Sequence, residues 1–482
     1  MGTARTIYKN TLYLGAAEIV SKVLQFVVML YAARLLSKEH FGKFSFALSL
    51  SLIAIVLADL GINTLLVREI SRNRNLASKY FVNAFSIKVL LSALTYFIIV
   101  AVLNIFNSQK DTMQIVYIIW LFTILSTFTE LFYSIFRAFE MMFYDALLKI
   151  LRMILLTFAS LFVLFNGYGV IVFSYTFVII ELIVVLVALV IALKKFIKLK
   201  IGIDYSFIRS ILKKALPFGL AFVFGSIYFF IGSVILYKIK GDVDVAIYSV
   251  AYNIALAILF IPTMYTNAIY PVMSRYFKKS EGMLIFIYTK SFKYLYMIGL
   301  PISVGLFMLA NRIIIFFYGK EYHSSIIALQ IISWFLFIKF LNFLNGTTLA
   351  AINKQHERMI SQGTIASLSI ALNLILIPKI GYIGTAISLL ITEILLFILY
   401  YNNVAKYLHA YNFLNILIKP VISVGIMILY ITYAKLNLIL IIPTSAIVYF
   451  AILILLKTFE KDDYKLFKKV IGNEKQERFL FD

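Results

Sequence analysis

Fourteen apolar windows, each bounded by charge, Gly or Pro, follow one another along the 482 residues. They begin near Thr11, Phe44, Phe81, Gln114, Leu147, Gly169, Ala215, Val245, Phe292, Ile326, Met359, Ile383, Asn415 and Leu438. A bilayer core takes about 20 residues of helix to cross. Backbone inside it must satisfy its own hydrogen bonds, so long apolar windows become helices. The fold expected is therefore all-α and polytopic, with about 14 transmembrane helices. Composition agrees: 62% of residues are hydrophobic and 14% charged, against about 45 to 50% and about 25% in soluble chains.

The net charge of +23 raises the question of a nucleic-acid partner, and its distribution answers it. Lys and Arg concentrate in cytoplasmic loops of membrane proteins. With a cytoplasmic N-terminus, 32 of the 45 basic residues fall in cytoplasmic segments and 10 in outside loops, leaving Lys22, Lys88 and Lys339 within spans. Topology and attraction to anionic headgroups explain the charge, so no nucleic acid is expected. Both termini are then cytoplasmic in a multi-pass protein of the cell membrane. The opening segment contains Glu18 and Lys22 and lacks a small-residue cleavage site, which reads as a retained helix rather than a signal peptide.

The absence of Cys removes disulfides, thiolate zinc and thiol catalysis. His40, His323, His356 and His409 are scattered. No nucleophile with a base, no phosphate-binding Gly loop and no metal-ligand spacing appears, so neither cofactor nor enzymatic activity is expected.

An internal repeat organises the chain. Phe41–Ala47 opens the second span and Val245–Ala251 the eighth, a shift of 204 residues that also carries Asn63 onto Asn267. Asn166–Gly169 before span six resembles Ile380–Gly384 before span twelve, with Glu181 and Glu393 behind them. Two six-helix lobes, 1–200 and 201–408, are implied, followed by two further helices and a short tail in 409–482. An even number of spans per lobe places their pseudo-two-fold axis along the membrane normal and the site between them.

Ionisable groups inside a span are costly and usually face a cavity or a partner. Glu18, Lys22 and Gln25 share about 60° of arc on the first span. Either this stripe lines a solvated cavity, or Glu18 and Lys22 neutralise each other at i,i+4. Ser45, Ser49, Asp59 and Asn63 form a polar stripe on span two, and Ser249, Asn253, Thr263 and Asn267 repeat it on span eight. That face suits a central aqueous cavity, with interhelical hydrogen bonding as the alternative. Lys88 and Arg34 are expected to snorkel to headgroups. Glu181 and Glu393 are expected to be protonated and hydrogen-bonded. Lys339, with Asn342 and Gly346, either extends the cavity or pairs with Glu130.

The stretch from Val20 through Tyr31–Leu36, Phe41–Ala47 and Ala58–Gly61 to Arg68–Arg72 resembles polysaccharide-biosynthesis flippases, the Wzx-type O-antigen and teichuronic-acid exporters of the MATE-like superfamily. Lys214–Gly219, Ile247–Tyr252, Asn373–Pro378 and Gly381–Ala386 resemble the same family. The family often carries an acidic residue in span seven near Gly232; this chain has none there. The resemblance implies transfer of a polyprenyl-phosphate- or pyrophosphate-linked oligosaccharide between leaflets by alternating access. Its partners are then the lipid-linked glycan, the bilayer, and glycosyltransferases or a polymerase of the same pathway. On this reading Lys22 contacts phosphate, Gln25, Ser49, Asn63, Asn253 and Asn267 contact sugar or water, and Glu18 or Asp59 exchanges a coupling H+ or Na+. The alternatives are a MATE-type antiporter of small organic cations, a membrane-embedded polysaccharide polymerase or ligase, and a scaffold for glycan assembly.

Overall fold

The computed structural model describes residues 3–198, 202–277, 279–408, 414–460 and 463. Among them every regular element is helical. The first half of the chain runs α1 (Thr3–Leu35), α2 (Lys38–Asp59), α3 (Ile62–Arg72), α4 (Ala77–Phe106), α5 (Lys110–Ala138), α6 (Met142–Phe165) and α7 (Gly169–Lys195). The second runs α8 (Tyr205–Lys240), α9 (Asp242–Ile258), α10 (Phe260–Phe277), α11 (Glu281–Tyr318), α12 (Ser325–Ala351) and α13 (Gln355–Leu408), and α14 (Leu414–Tyr433) and α15 (Leu438–Leu455) follow.

Twelve of these segments are long and apolar enough to cross a membrane. One of them, α13, is two helices merged across a kink at Ile380 and Gly381, and Leu417–Tyr433 is a shorter apolar helix. Counting both arms of α13 and that shorter helix, the described residues hold the fourteen crossings read from the sequence. The kink is a tight turn fixed from outside. Gly381 has φ 55°, a Cβ there would lie 2.5 Å from Asp244 Oδ2, and the same carboxylate accepts the Tyr382 N–H at 3.2 Å. A side chain would meet both a strained dihedral and an occupied space.

Short connections force successive crossings to alternate in direction, so the bundle has one end rich in basic residues. There α3 ends on Arg72, α5 on Arg137 and α7 on Lys194 and Lys195. At this end Asp204 caps α8 by accepting the Phe207 N–H at 3.0 Å. The Lys79 ammonium, 2.8 Å away, holds the Asp204 carboxyl below its usual range.

Two crossings, equivalent by their starting points, are broken part-way. The chain turns left-handed at Leu60 and Gly61 between α2 and α3, and α9 gives way to α10 at Leu259. These broken crossings start at Lys38 and Asp242, which keeps the 204-residue offset. They face one another: α2 packs against both α8 and α9.

The end opposite the basic one is closed where the halves meet. Gly42 lies so near the α9 N-terminus that a Cβ would fall 1.9 Å from the Asp242 carbonyl oxygen. One turn on, the Phe46 and Tyr237 rings stack with centroids 3.7 Å apart. Lys43, buried beside this seam, bonds Glu39 at 2.7 Å and also Asp111. Only a residue without a side chain permits the backbone contact, so the seal depends on Gly42.

Candidate functional site

A cavity of 1380 Å³ lies below this seal, between α2, α3 and α5 on one side and α8, α10 and the first arm of α13 on the other. Its lining residues come from the half of the bundle nearer the basic end, including Asp59, Asn63, Glu130, Arg137, Arg152, Lys213, Asn267, Arg358 and Gln362. Aromatic side chains Tyr133, Phe222, Phe229, Phe230 and Tyr270 complete the wall. The volume exceeds the several hundred Å³ typical of small-molecule pockets.

The first-half wall is built on ion pairs anchored in the packed helices behind it. Asp59, at the end of α2, accepts Lys88 Nζ at 2.6 Å, and Lys88 also donates to the Thr127 carbonyl at 3.2 Å. Lys88 has no solvent exposure; instead of snorkelling to headgroups it reaches across from α4 to Asp59, because a buried ammonium needs a counter-charge more than a route out. Arg137 bridges Glu130 at 3.2 Å and Asp145 at 2.5 Å, and Lys149 shares Asp145 at 3.1 Å. Arg152 pairs with Glu181 at 3.2 Å while Thr129 donates to the other Glu181 oxygen at 2.6 Å.

The second half holds a parallel pair away from the cavity. Glu393 receives Lys339 at 3.1 Å, Asn342 Nδ2 at 2.6 Å and the Tyr228 hydroxyl. Lys339 is walled by the rings of Tyr228, Phe229, Phe335 and Phe343, with centroids 4.3 to 6.0 Å away. These contacts correct two expectations. Glu181 and Glu393 are each held by a cation as well as by hydrogen bonds, and Lys339 pairs with Glu393 rather than with Glu130.

Of the residues singled out in the sequence, Asp59, Asn63 and Asn267 line the cavity. Ser49 is buried and donates to the Ser45 carbonyl at 2.9 Å. Asn253 keeps a buried Nδ2 without a partner. Glu18 and Lys22 lie 4.0 Å apart, each about 40% exposed, on a helix packed mainly against α6 and touching α9, α10 and α11. They, Gln25, Ser49 and Asn253 are not among the cavity-lining residues. Arg137, Arg152, Lys213 and Arg358 line the cavity without being singled out by the sequence pattern. Arg152 lies inside the window that begins near Leu147, ten residues into α6, yet the charge distribution groups it with the loop that precedes the window.

Comparison with known proteins places this architecture. A model of the polysaccharide biosynthesis protein family matches residues 7–277, more than half of the chain. The chain belongs to that family. The MatE family model matches residues 217–375. The capsular polysaccharide biosynthesis protein CapF of Staphylococcus aureus is 24% identical over 407 residues, covering 82% of this chain and 98% of CapF. Among solved structures, the lipid II flippase MurJ in an inward closed conformation superposes with a TM-score of 0.76 at 18% identity, covering 95% of this chain and 99% of that one. An inward-facing multidrug resistance MATE transporter gives 0.65 at 15% identity over 80% of this chain and 95% of its own. A Pyrococcus furiosus transporter of the MOP superfamily, described as having a binding pocket of reverse polarity, gives 0.59 at 17% over 84% and 97%. These similarities show the fold as that of polytopic helical transporters.

Proposed function

We propose that this protein is a flippase that carries a polyprenyl-phosphate- or pyrophosphate-linked oligosaccharide from the inner to the outer leaflet by alternating access. The observation that carries this reading is the cavity: large, set in the half of the bundle nearer the basic end, below the close contact of Gly42 with Asp242, and lined by four cations, Arg137, Arg152, Lys213 and Arg358, against two carboxylates, Asp59 and Glu130. An anionic phosphate and a polyhydroxylated sugar both find partners on such a wall, while the polyprenyl tail stays in lipid. The family membership supports the same pathway, and the lipid II flippase fold supports the same movement. A transporter of small organic cations calls for an acidic cavity and fits less well. The work is movement of an intact molecule, so no bond-making residue is assigned.

The basic end is the cytoplasmic end in this reading, with both termini there, as the distribution of Lys and Arg supports. Lobes 1–200 and 201–408 rock about the cavity, and 409–482 adds two helices outside them. Asp59, Asn63 and Asn267 meet the cargo in the inward-open state. Glu18, Lys22 and Gln25 lie on α1, between α6 and the second half, and meet the cargo as it enters sideways; Ser49 and Asn253 join the cavity when the upper seam parts. Glu18 or Asp59 carries the coupling ion. Glycosyltransferases or a polymerase of the same pathway supply and receive the cargo.

Reconstituted proteoliposomes test the proposal. Lipid-linked oligosaccharide placed in one leaflet is expected to become accessible to a glycan-modifying probe on the other side only when the protein is present. Equal rates in protein-free vesicles would contradict it. A bulky Gly42→Val change wedges the seam, so transport is expected to fall at least about tenfold while the protein still purifies folded.

A further inference from the structure

The charges on the cavity wall are shared unequally between the two halves. On the wall built by α2 to α7 every charge is already matched: Lys88, Arg137, Lys149 and Arg152 against Asp59, Glu130, Asp145 and Glu181. The wall built by α8 and α13, which pack on one another, contributes Lys213 and Arg358 and no lining carboxylate. Among the described residues neither has a carboxylate within 4.0 Å. Glu357, the neighbour of Arg358, turns instead to the Tyr407 hydroxyl, its other carboxylate oxygen buried without a partner, and Lys354 stands 4.2 Å over the same ring. Arg358 keeps a buried Nε–H with no acceptor.

What lacks a partner on the opposite wall is mostly neutral. Asn63 Oδ1, Ser126 Oγ and the Tyr133 hydroxyl are buried, line the cavity and make no hydrogen bond. Arg152 Nε is unpartnered too, but its guanidinium charge is met by Glu181. Gln362, one turn beyond Arg358, adds a single unpartnered acceptor to the cationic side. Uncompensated positive charge therefore faces unfilled hydroxyl and amide groups across the cavity. An uncompensated cation in a partly dry site favours an anion, and a buried unpaired amide or hydroxyl favours a neutral hydrogen-bonding ligand.

We infer that the cargo sits in one fixed orientation, its phosphate on Arg358 and Lys213 of the α8–α13 wall and its sugar hydroxyls on Asn63, Ser126 and Tyr133 of the opposite wall. The inference rests on the flippase reading and adds to it which lobe grips the phosphate and which reads the sugar.

The test uses the full chain in nanodiscs and two probes, a polyprenyl phosphate without sugar and the same carrier bearing a disaccharide. Arg358→Gln and Lys213→Gln are each expected to weaken the sugar-free probe about tenfold or more, and Arg358→Lys to recover most of that loss. Asn63→Ala with Ser126→Ala is expected to leave the sugar-free probe within about twofold of the unmodified protein and to abolish the extra affinity conferred by the disaccharide. The orientation is overturned if the Gln variants bind the sugar-free probe like the unmodified protein, or if the Asn63 and Ser126 changes weaken both probes equally. Should the unmodified protein bind neither probe, the flippase reading fails and the orientation fails with it, a result distinct from binding without discrimination.

Discussion

Glu181 on α7 and Glu393 on the second arm of α13 occupy similar places in the two halves, both fully buried mid-helix and both bound to a cation and a hydrogen-bond donor. Their surroundings differ. Arg152, the partner of Glu181, keeps 27% of its side chain exposed and reaches the cavity. Lys339, the partner of Glu393, keeps 8% and is shut behind aromatic rings. A buried cation–carboxylate pair thus forms part of the cavity wall in one half and a lock between α8, α12 and α13 in the other. A charged residue inside a span marks a functional site only when its charge, or part of its hydrogen-bonding capacity, is left for a ligand.

Breaking the lock has the largest expected effect. Lys339→Met leaves Glu393 buried without a counter-charge, at about 3–5 kcal/mol of stability, read as a large fall in melting temperature. The double change Lys339→Met with Glu393→Leu is expected to recover most of the loss, because a buried pair is worth little against apolar packing. An unchanged melting temperature in the single variant would refute the lock. The equivalent change in the other half, Arg152→Gln, is expected to cost less, about 1–3 kcal/mol, since Arg152 is partly exposed and Thr129 still donates to Glu181, while transport falls more than stability. Equal stability losses in Lys339→Met and Arg152→Gln would erase the distinction between wall and lock.

A third cluster extends the comparison beyond the spans. Asp463 is buried against Lys290, Lys293 and Tyr294 of α11. Burial pushes its carboxyl up, but the bonds from these three side chains and from the Glu460 backbone N–H outweigh that and hold it at about 2. A carboxyl depressed in the folded state contributes stability above its unfolded value, about 3.9, and loses that contribution as pH falls toward about 2. Acid melting of the unmodified protein should steepen in this window, and Asp463→Asn should flatten it. The smallest effect belongs to Glu18 and Lys22, whose exposed pair at 4.0 Å is worth less than about 1 kcal/mol. Glu18→Gln should leave the melting temperature unchanged, so any transport defect in that variant reports a role in transport and not in folding.

The membrane crossings were legible because each is a local property, an apolar window closed by charge, Gly or Pro. Even the merged α13 was read as two spans, since Gly381–Tyr382 interrupts the pattern there. The repeat was legible for the same reason, as Lys38 and Asp242 open equivalent broken crossings. The site was only partly so. Asp59, Asn63 and Asn267 follow from helical periodicity and do line the cavity. The pairing of Lys88 with Asp59, or of Lys339 with Glu393, joins residues far apart in sequence, and no single helix reveals it. Arg358 falls just before the window that begins near Met359, and Arg152, though inside the window from Leu147, is grouped with the loop before it. Opposite charges at similar depths in neighbouring spans, Arg152 with Glu181 and Lys339 with Glu393, were the available signal.

If this membrane protein turns a lipid-linked glycan across the bilayer, its loss must strand that glycan on one side. Depleting the protein in its own cells and measuring lipid-linked oligosaccharide in each leaflet tests that most directly. Build-up on the cytoplasmic leaflet is expected, reversed by the unmodified protein and not by Gly42→Val. Unchanged leaflet distribution after depletion, with surface glycan still assembled, would contradict it.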